Sequence, residues 1–242
     1  MASYADFYRR SIDDRDAFWG EQARLIDWQT PPQTVCDYSN PPFARWFAGG
    51  TTNLCHNAVD RHLAERGDQR ALIFVSTETD QETVYTFRQL HAEVQRMAAV
   101  FQGLGVKKGD RVLIYMPMIA EACFAMLACA RIGAIHSVVF GGFASGSLAT
   151  RIDDAEPTVI VSADAGSRAG KPVPYKHLLD EAIQLAKHQP QAVLLVDRGL
   201  APMKLVDGRD QLWGALREAN LNAQVPCEWV DATHPSYTLY TS

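Results

Sequence analysis

The sequence lacks an excess of positive charge: 23 Lys and Arg stand against 28 Asp and Glu, a formal net charge of -5. With basic residues scattered among acidic ones, no general attraction to nucleic acid or to an anionic lipid surface is expected, and a phosphate-bearing ligand must be held by a local group. Cysteine is sparse. The five present, Cys36, Cys55, Cys123, Cys129 and Cys227, form no C-x-x-C pair and are odd in number, which argues against a disulfide framework or a zinc knuckle and for reduced thiols. No apolar run approaches the length that crosses a bilayer. The start, Met1 to Arg10, is broken by Asp6, Arg9 and Arg10 and has no signal-peptide core, so a soluble cytoplasmic protein is expected. Internal repeats, low-complexity segments and the full G-x-G-x-x-G dinucleotide fingerprint are also missing, and the last absence disfavours a nicotinamide-dependent oxidoreductase.

What is present is core material. The 242 residues are 47% hydrophobic and 21% charged, enough for one large or two smaller domains. Two short helical patterns open the chain, Tyr4 to Arg10 and a second with Ser11 as its expected N-cap, placing Phe18, Trp19, Ala23 and Ile26 near one face. From Trp28 to Gly50 the pairs Pro31-Pro32, Pro41-Pro42 and Gly49-Gly50 and the aromatics Phe43, Trp46 and Phe47 predict an irregular strap. A helix through Val59 and Leu63, a strand Ala71 to Val75, and capping-box spacing at Thr86 to Gln89 come next. Leu90, Val94, Met97, Ala98 and Phe101 then recur at helical spacing.

Beyond Gly109 the pattern alternates. Strands are expected at Val112 to Tyr115, His136 to Phe140, Thr158 to Ser162 and Ala192 to Val196, with helices around Ile119 to Arg131, Ser145 to Asp153, Tyr175 to Lys187 and Leu212 to Asn220. Continuous apolar strands in a βαβ alternation predict a mostly parallel sheet covered by helices on both faces. Tyr237 to Thr241 reads as one more strand.

In such sheets ligands lie beyond the carboxyl ends of the strands. Phe140-Gly141-Gly142-Phe143 follows one strand end and precedes a helix whose free N–H groups suit an anion, though paired glycines at such a turn also serve purely structural ends. Asp164 to Lys171 follows another, with Arg168 and Lys171 spaced by the small residues Ala169 and Gly170; it is either a phosphate-pairing loop or a mobile solvated one. Thr241 and Ser242 offer hydroxyls after the last strand. Elsewhere the chemistry is thin: His56 beside Cys55, and His62, have no metal-ligand set, His136 reads as a packed histidine, and Glu121 near Cys123 completes no catalytic triad. Met116 and Met118 around Pro117 are expected to pack a turn.

Three strings carry a resemblance: Tyr85-Thr86-Phe87-Arg88-Gln89-Leu90, Gly109 to Met118 (GDRVLIYMPM), and Ala128 to Phe143 (ACARIGAIHSVVFGGF). They resemble the acetate- and propionate-activating CoA ligases of the acyl-adenylate-forming superfamily, over essentially the whole chain. Asn40 to Phe47 and Thr52 to His62 look more like the propionate-activating members than the acetate-activating ones. The resemblance implies an α/β fold: an incomplete N-terminal adenylating domain over residues 61–242, preceded by a helical and irregular extension over residues 1–60. It implies acyl-adenylate formation from propionate and ATP, then attack by the CoA thiol to give propionyl-CoA and AMP, with Mg, ATP and CoA as the complete enzyme's ligands and no nucleic-acid or membrane partner. Phe140, Gly141, Arg168, Ala169, Gly170 and Lys171 are implied contacts of CoA, with Ala169 standing where the family usually has glycine. Thr241 and Ser242 match the start of the ATP phosphate loop. No residue present takes a catalytic role on the family pattern, so the chain alone is expected to be inactive and, with a sheet edge uncovered, poorly soluble. Acetate activation, or a non-catalytic fragment retaining part of a CoA site, are the competing expectations.

Overall fold

A computed structural model describes residues 3–139, 141, 144–168 and 170–240. Helix α1 (Tyr4–Asp13) starts at Ser3, whose hydroxyl accepts the Asp6 N–H at 3.2 Å, and α2 (Arg15–Gln22) follows Asp14. Ser11 is therefore not a cap. Its hydroxyl bonds back to the Tyr8 carbonyl at 2.7 Å within the first helix. The expected irregular strap is instead largely a hairpin, β1 (Thr34–Asn40) against β2 (Phe43–Ala48), turning at Pro41-Pro42. The proline pair suggested irregularity, yet it occupies only the turn, and Val35, Cys36, Tyr38, Trp46 and Phe47 suit the flanking strands.

A two-residue strand β3 (Thr51–Thr52) leads into α3 (Leu54–Ala58) and α4 (Leu63–Arg66). The strand β4 (Arg70–Ser76) pairs with β5 (Gln81–Thr86), a partner the sequence pattern did not reveal because Gln81 to Thr83 are polar. The capping box is formed at the start of α5 (Phe87–Gly103): the Gln89 N–H donates to the Thr86 hydroxyl at 3.3 Å, and the Thr86 N–H to the Gln89 side chain at 2.9 Å.

The expected alternation follows as β6 (Arg111–Tyr115), α6 (Ala120–Ile132), β7 (Ile135–Val139), α7 (Ser145–Ala155) and β8 (Val159–Ala163). A small hairpin, β9 (Gly166–Arg168) and β10 (Lys171–Val173), interrupts it before α8 (Tyr175–Leu185) and β11 (Ala192–Val196). The chain then forms β12 (Asp210–Leu212), α9 (Trp213–Ala219) and β13 (Val230–Asp231). Strands β12, β11, β8, β6 and β7, in that spatial order, make one parallel sheet.

The two-residue period of the strands divides the core. Val112, Ile114, Val159, Val161, Ala192 and Leu194 pack with α5, α6 and α9, whereas Leu113, Tyr115, Ile160, Val193 and Leu195 pack with α7 and α8. From β6 the chain passes first to β7 on one side and then to β8 on the other, so its direction of winding reverses between β6 and β8. At the outer edge of β7, the Tyr237 segment makes a single parallel bridge to His136 rather than the full strand expected. The Thr238 N–H reaches the His136 carbonyl at 2.9 Å.

The N-terminal extension is stitched to this body by polar groups. Asn53 is fully buried; its amide donates to the carbonyls of Ala130 and Glu228 at 2.7 and 2.8 Å while its oxygen caps α3 at the His56 N–H, 3.0 Å away. Arg131, 3% exposed, grips both Asp60 oxygens at 2.8 and 2.9 Å and donates to the Val225 carbonyl at 2.5 Å. Strand β13 closes the arrangement by pairing with β3.

Replacing Asn53 with Ala strands two buried carbonyls and a helix cap, and is expected to cost about 2–4 kcal/mol in denaturant unfolding, against ~1 kcal/mol for Thr86→Ala. Burial alone would raise the Asp60 carboxyl, but bonds from His91 and Arg131 outweigh it and hold the group well below the usual carboxylate range. A depressed folded pKa contributes stability above the unfolded value of about 4, which is lost as pH falls below it. Asp60→Asn is thus expected to cost about 3 kcal/mol at neutral pH and to flatten the acid limb of a melting-temperature profile between roughly pH 4 and 2.

Candidate ligand-binding face

The reversal between β6 and β8 brings Tyr115, Met116 and Pro117 beside Ala163 to Gly166, the place where doubly wound sheets bind ligands. The Ser162 hydroxyl ties the two strand ends by donating to the Tyr115 carbonyl at 2.8 Å. Asp164 is buried, and β9 and β10 form a hairpin in which Lys171 lies opposite Arg168 and Val173 opposite Gly166.

Remote residues hold this hairpin. The Ser167 N–H donates to the Glu78 carboxylate, which is ion-paired to Arg198. Arg198 also donates to the Ala165 carbonyl at 3.0 Å, and one Asp164 oxygen accepts the Leu200 and Ala201 N–H groups at 2.6 and 3.2 Å. The charge of Arg198 is thereby neutralised by Glu78, which leaves Lys171 as the free cation on β10. Lys171 is exposed and makes no ion pair or side-chain hydrogen bond among the described residues.

Tyr175, the first residue of α8, forms the floor. Its ring lies 5.0 Å from that of Tyr115 and close against Gly166. Burial pushes the Tyr115 phenol up to about 12 and raises that of Tyr175, so both rings are neutral at physiological pH. Gly141 is buried on this floor: a methyl group there would lie 1.8 Å from the Tyr175 hydroxyl oxygen. Glycine at this position is required by close approach, whereas Gly170 is required by its φ of +75° at the hairpin turn.

Of the residues singled out from the sequence, Gly141 lies against Tyr175, and the backbone of Arg168, Gly170 and Lys171 belong to the hairpin whose other end, Gly166, also meets Tyr175. Phe140, Ala169, Thr241 and Ser242 lie outside the described residues. Nothing in the sequence pointed to Glu78 or Arg198, and Asp164 and Tyr175 were marked only as the starts of the loop and of a helix; Glu78 meets Ser167 across 89 positions, and no local pattern encodes that contact. Surface cavities among the described residues include one of about 380 Å³ at Asp197 to Met203, one of 130 Å³ beside Thr52 and His234, and one of 650 Å³ lined in part by Arg131.

The minor candidates are structural. His56 pairs with Asp27 at 3.2 Å, and His62 packs on Phe87 with ring centroids 5.1 Å apart. His136 stacks on Tyr237, and burial lowers its pKa. Burial raises Glu121 and Cys123 alike, with no base or orienting group completing a catalytic set among the described residues. The methionine expectation is corrected in half: Met116 is buried, but Met118 is 91% exposed, because it follows Pro117 at the strand end and points away from both core clusters.

The AMP-binding enzyme profile matches residues 59–242, and the acetyl-coenzyme A synthetase N-terminus profile matches residues 4–58. The chain belongs to the AMP-binding enzyme family. It is 61% identical over 240 residues to a propionate–CoA ligase of Escherichia coli, and 62% identical over 240 residues to one of Salmonella typhimurium, covering 99% of this chain in each case. An acetyl-coenzyme A synthetase of Methylobacterium radiotolerans is 46% identical over 245 residues. The chain spans about 38% of the length of these curated relatives. Acetoacetyl-CoA synthetase from Streptomyces lividans superposes with a TM-score of 0.88 at 30% identity, over 100% of this chain and 36% of that one. The parallel α/β fold of this chain is thus shared with a solved acyl-CoA synthetase. Among its described residues, no helix is long and apolar enough to cross a membrane.

Gly141→Ala is expected to destabilise the chain by about 1–3 kcal/mol through overpacking on Tyr175. Adding Tyr175→Leu should recover part of that loss in denaturant unfolding, whereas a purely conformational requirement at Gly141 would leave it unrelieved.

Proposed function

We propose that this chain is the N-terminal part of a cytoplasmic propionate–CoA ligase and supplies one side of its CoA site. The carrying observation is the gradient of identity: 61–62% to two propionate–CoA ligases against 45–46% to acetyl-coenzyme A synthetases over the same span. In this reading residues 1–60 are an extension and 61–242 the first part of the adenylating domain. Propionate and ATP give propionyl-adenylate and pyrophosphate, and the CoA thiol displaces AMP.

The residues present fit a role in binding rather than in bond making. Lys171 offers an unpaired, exposed ammonium, and Arg168 is its register partner across β9 and β10. Two cations on a braced hairpin suit the phosphates at the nucleotide end of CoA, as charge-assisted hydrogen bonds. Gly170 and Ala169 leave the turn between them small, and Phe140 and Gly141 border the same ligand where backbone approach is closest. Thr241 and Ser242 would open the loop that cradles the ATP phosphates; no described residue is assigned to Mg.

Calorimetric titration of the 242-residue chain with CoA is expected to show binding weakened about tenfold by Lys171→Ala or Arg168→Ala, equivalent to ~1.4 kcal/mol. Pantetheine, which has no nucleotide, should bind without that dependence. No detectable heat with CoA, or equal heat from the variants, removes the hairpin from the CoA site.

A further inference from the structure

Away from the ligand face, Cys55, Asp60 and Cys227 converge, with both thiol sulfurs and a carboxylate oxygen within 4.8 Å of one another. Such a set could hold a cation, but a cation is already there. The Arg131 guanidinium bonds both Asp60 oxygens and lies 3.4 Å from the Cys55 sulfur. What remains unexplained is a pair of free thiols 172 positions apart in the chain.

We propose that Cys55 and Cys227 form a peroxide-responsive dithiol whose oxidation to a disulfide reversibly staples the N-terminal extension to the segment before β13. The two backbones are held close without the thiols' help: Asn53 bonds the Glu228 carbonyl at 2.8 Å, Arg131 bonds the Val225 carbonyl at 2.5 Å, and β3 pairs with β13. The sulfurs lie within 4.8 Å of one another, a short way from bonding distance. The thiols differ in exposure. Cys55 is fully buried, whereas Cys227 is half-buried and follows Pro226, which with His91, Arg131 and Val225 lines an open cavity of about 650 Å³.

They also differ in charge. The Cys55 thiol donates to Asp60 Oδ2 at 3.8 Å. Its bond to Cys227, with Arg131 close by, holds Cys227 below the ordinary thiol value against the opposing effects of burial and Asp60. Cys55 is raised by the same bond and by burial. His91 faces the cluster through Asp60, at 3.3 Å. The greater exposure of Cys227, together with its lowered thiol, marks it as the attacking sulfur and Cys55 as the resolving one.

The chemistry balances with hydrogen peroxide as the oxidant. The Cys227 thiolate attacks one peroxide oxygen; an S–O bond forms, the O–O bond breaks and hydroxide leaves, so sulfur loses the two electrons that peroxide gains. The Cys55 sulfur then attacks the sulfenic sulfur, an S–S bond replaces the S–O bond, and the thiol proton departs with the hydroxyl as water. A dithiol reductant returns both thiols. The loop closed by the bond is long, so the oxidised chain resists unfolding more than the reduced one.

The test is peptide mapping of the folded 242-residue chain after a small molar excess of hydrogen peroxide. The expected result is a Cys55–Cys227 cross-linked peptide, loss of two of the five thiols, and a raised Tm that dithiothreitol reverses. Cys55→Ser is expected to accumulate a dimedone-trappable sulfenic acid at Cys227, and Cys227→Ser to leave Cys55 reduced. Oxidation of Cys36 or Cys123 with Cys55 and Cys227 still reduced overturns the proposal, as does stoichiometric zinc binding that blocks both thiols. The wild-type map decides the question even if a serine variant does not fold.

Discussion

Arg131 is where three separate stretches of the chain are made one body. Its guanidinium is almost wholly withdrawn from water, a state that is costly unless its donors are met, and they are met by Asp60 from the extension and Val225 from the C-terminal segment. Once α6 carries this residue inward, the helices α3 and α4 and the 225–231 segment have to lie against it. Asn53 repeats the logic one turn away, spending one buried amide on two carbonyls and a helix cap. These polar ties specify where the extension docks, whereas the apolar core beneath them, split by the strands into two clusters, supplies the bulk of the stabilisation.

The ligand face depends on a second, smaller bracing. A hairpin three residues a side would not hold its place alone; Glu78, Arg198 and Asp164 fix it against the strand ends of β8 and β11. In neutralising each other, Glu78 and Arg198 leave Lys171 as uncompensated charge. Close packing explains Gly141: Tyr175 fills the floor so closely that no side chain fits above it.

Much of the fold was legible because it rests on local periodicity. The β6 and β11 runs, the α5 stripe of Leu90, Val94, Met97 and Phe101, and the Thr86–Gln89 box all express rules that act within a few residues, and all were found where expected. The misreadings share a cause. Pro41-Pro42 was a turn inside a hairpin, and Ser11 had a nearer partner in Tyr8 than any helix end. Strand β5 and the β9–β10 hairpin are polar or short, so only pairing defines them.

For the candidate face, residue types were enough to draw notice to Gly141 and to the Arg168–Lys171 segment, since small residues and cations after a strand end are one recurrent way to meet a phosphate, although the same residues also serve purely structural turns. By itself the sequence determined the alternating α/β plan, the family and the cations that follow a strand end, because composition, period and motif are properties of neighbouring residues. Tertiary structure alone decided that Arg198 is silenced by Glu78, that Tyr175 makes Gly141 obligatory, and that Cys55 meets Cys227. Those contacts join residues tens to hundreds of positions apart, and their energies exist only once burial has removed the water that would otherwise compete for the same groups.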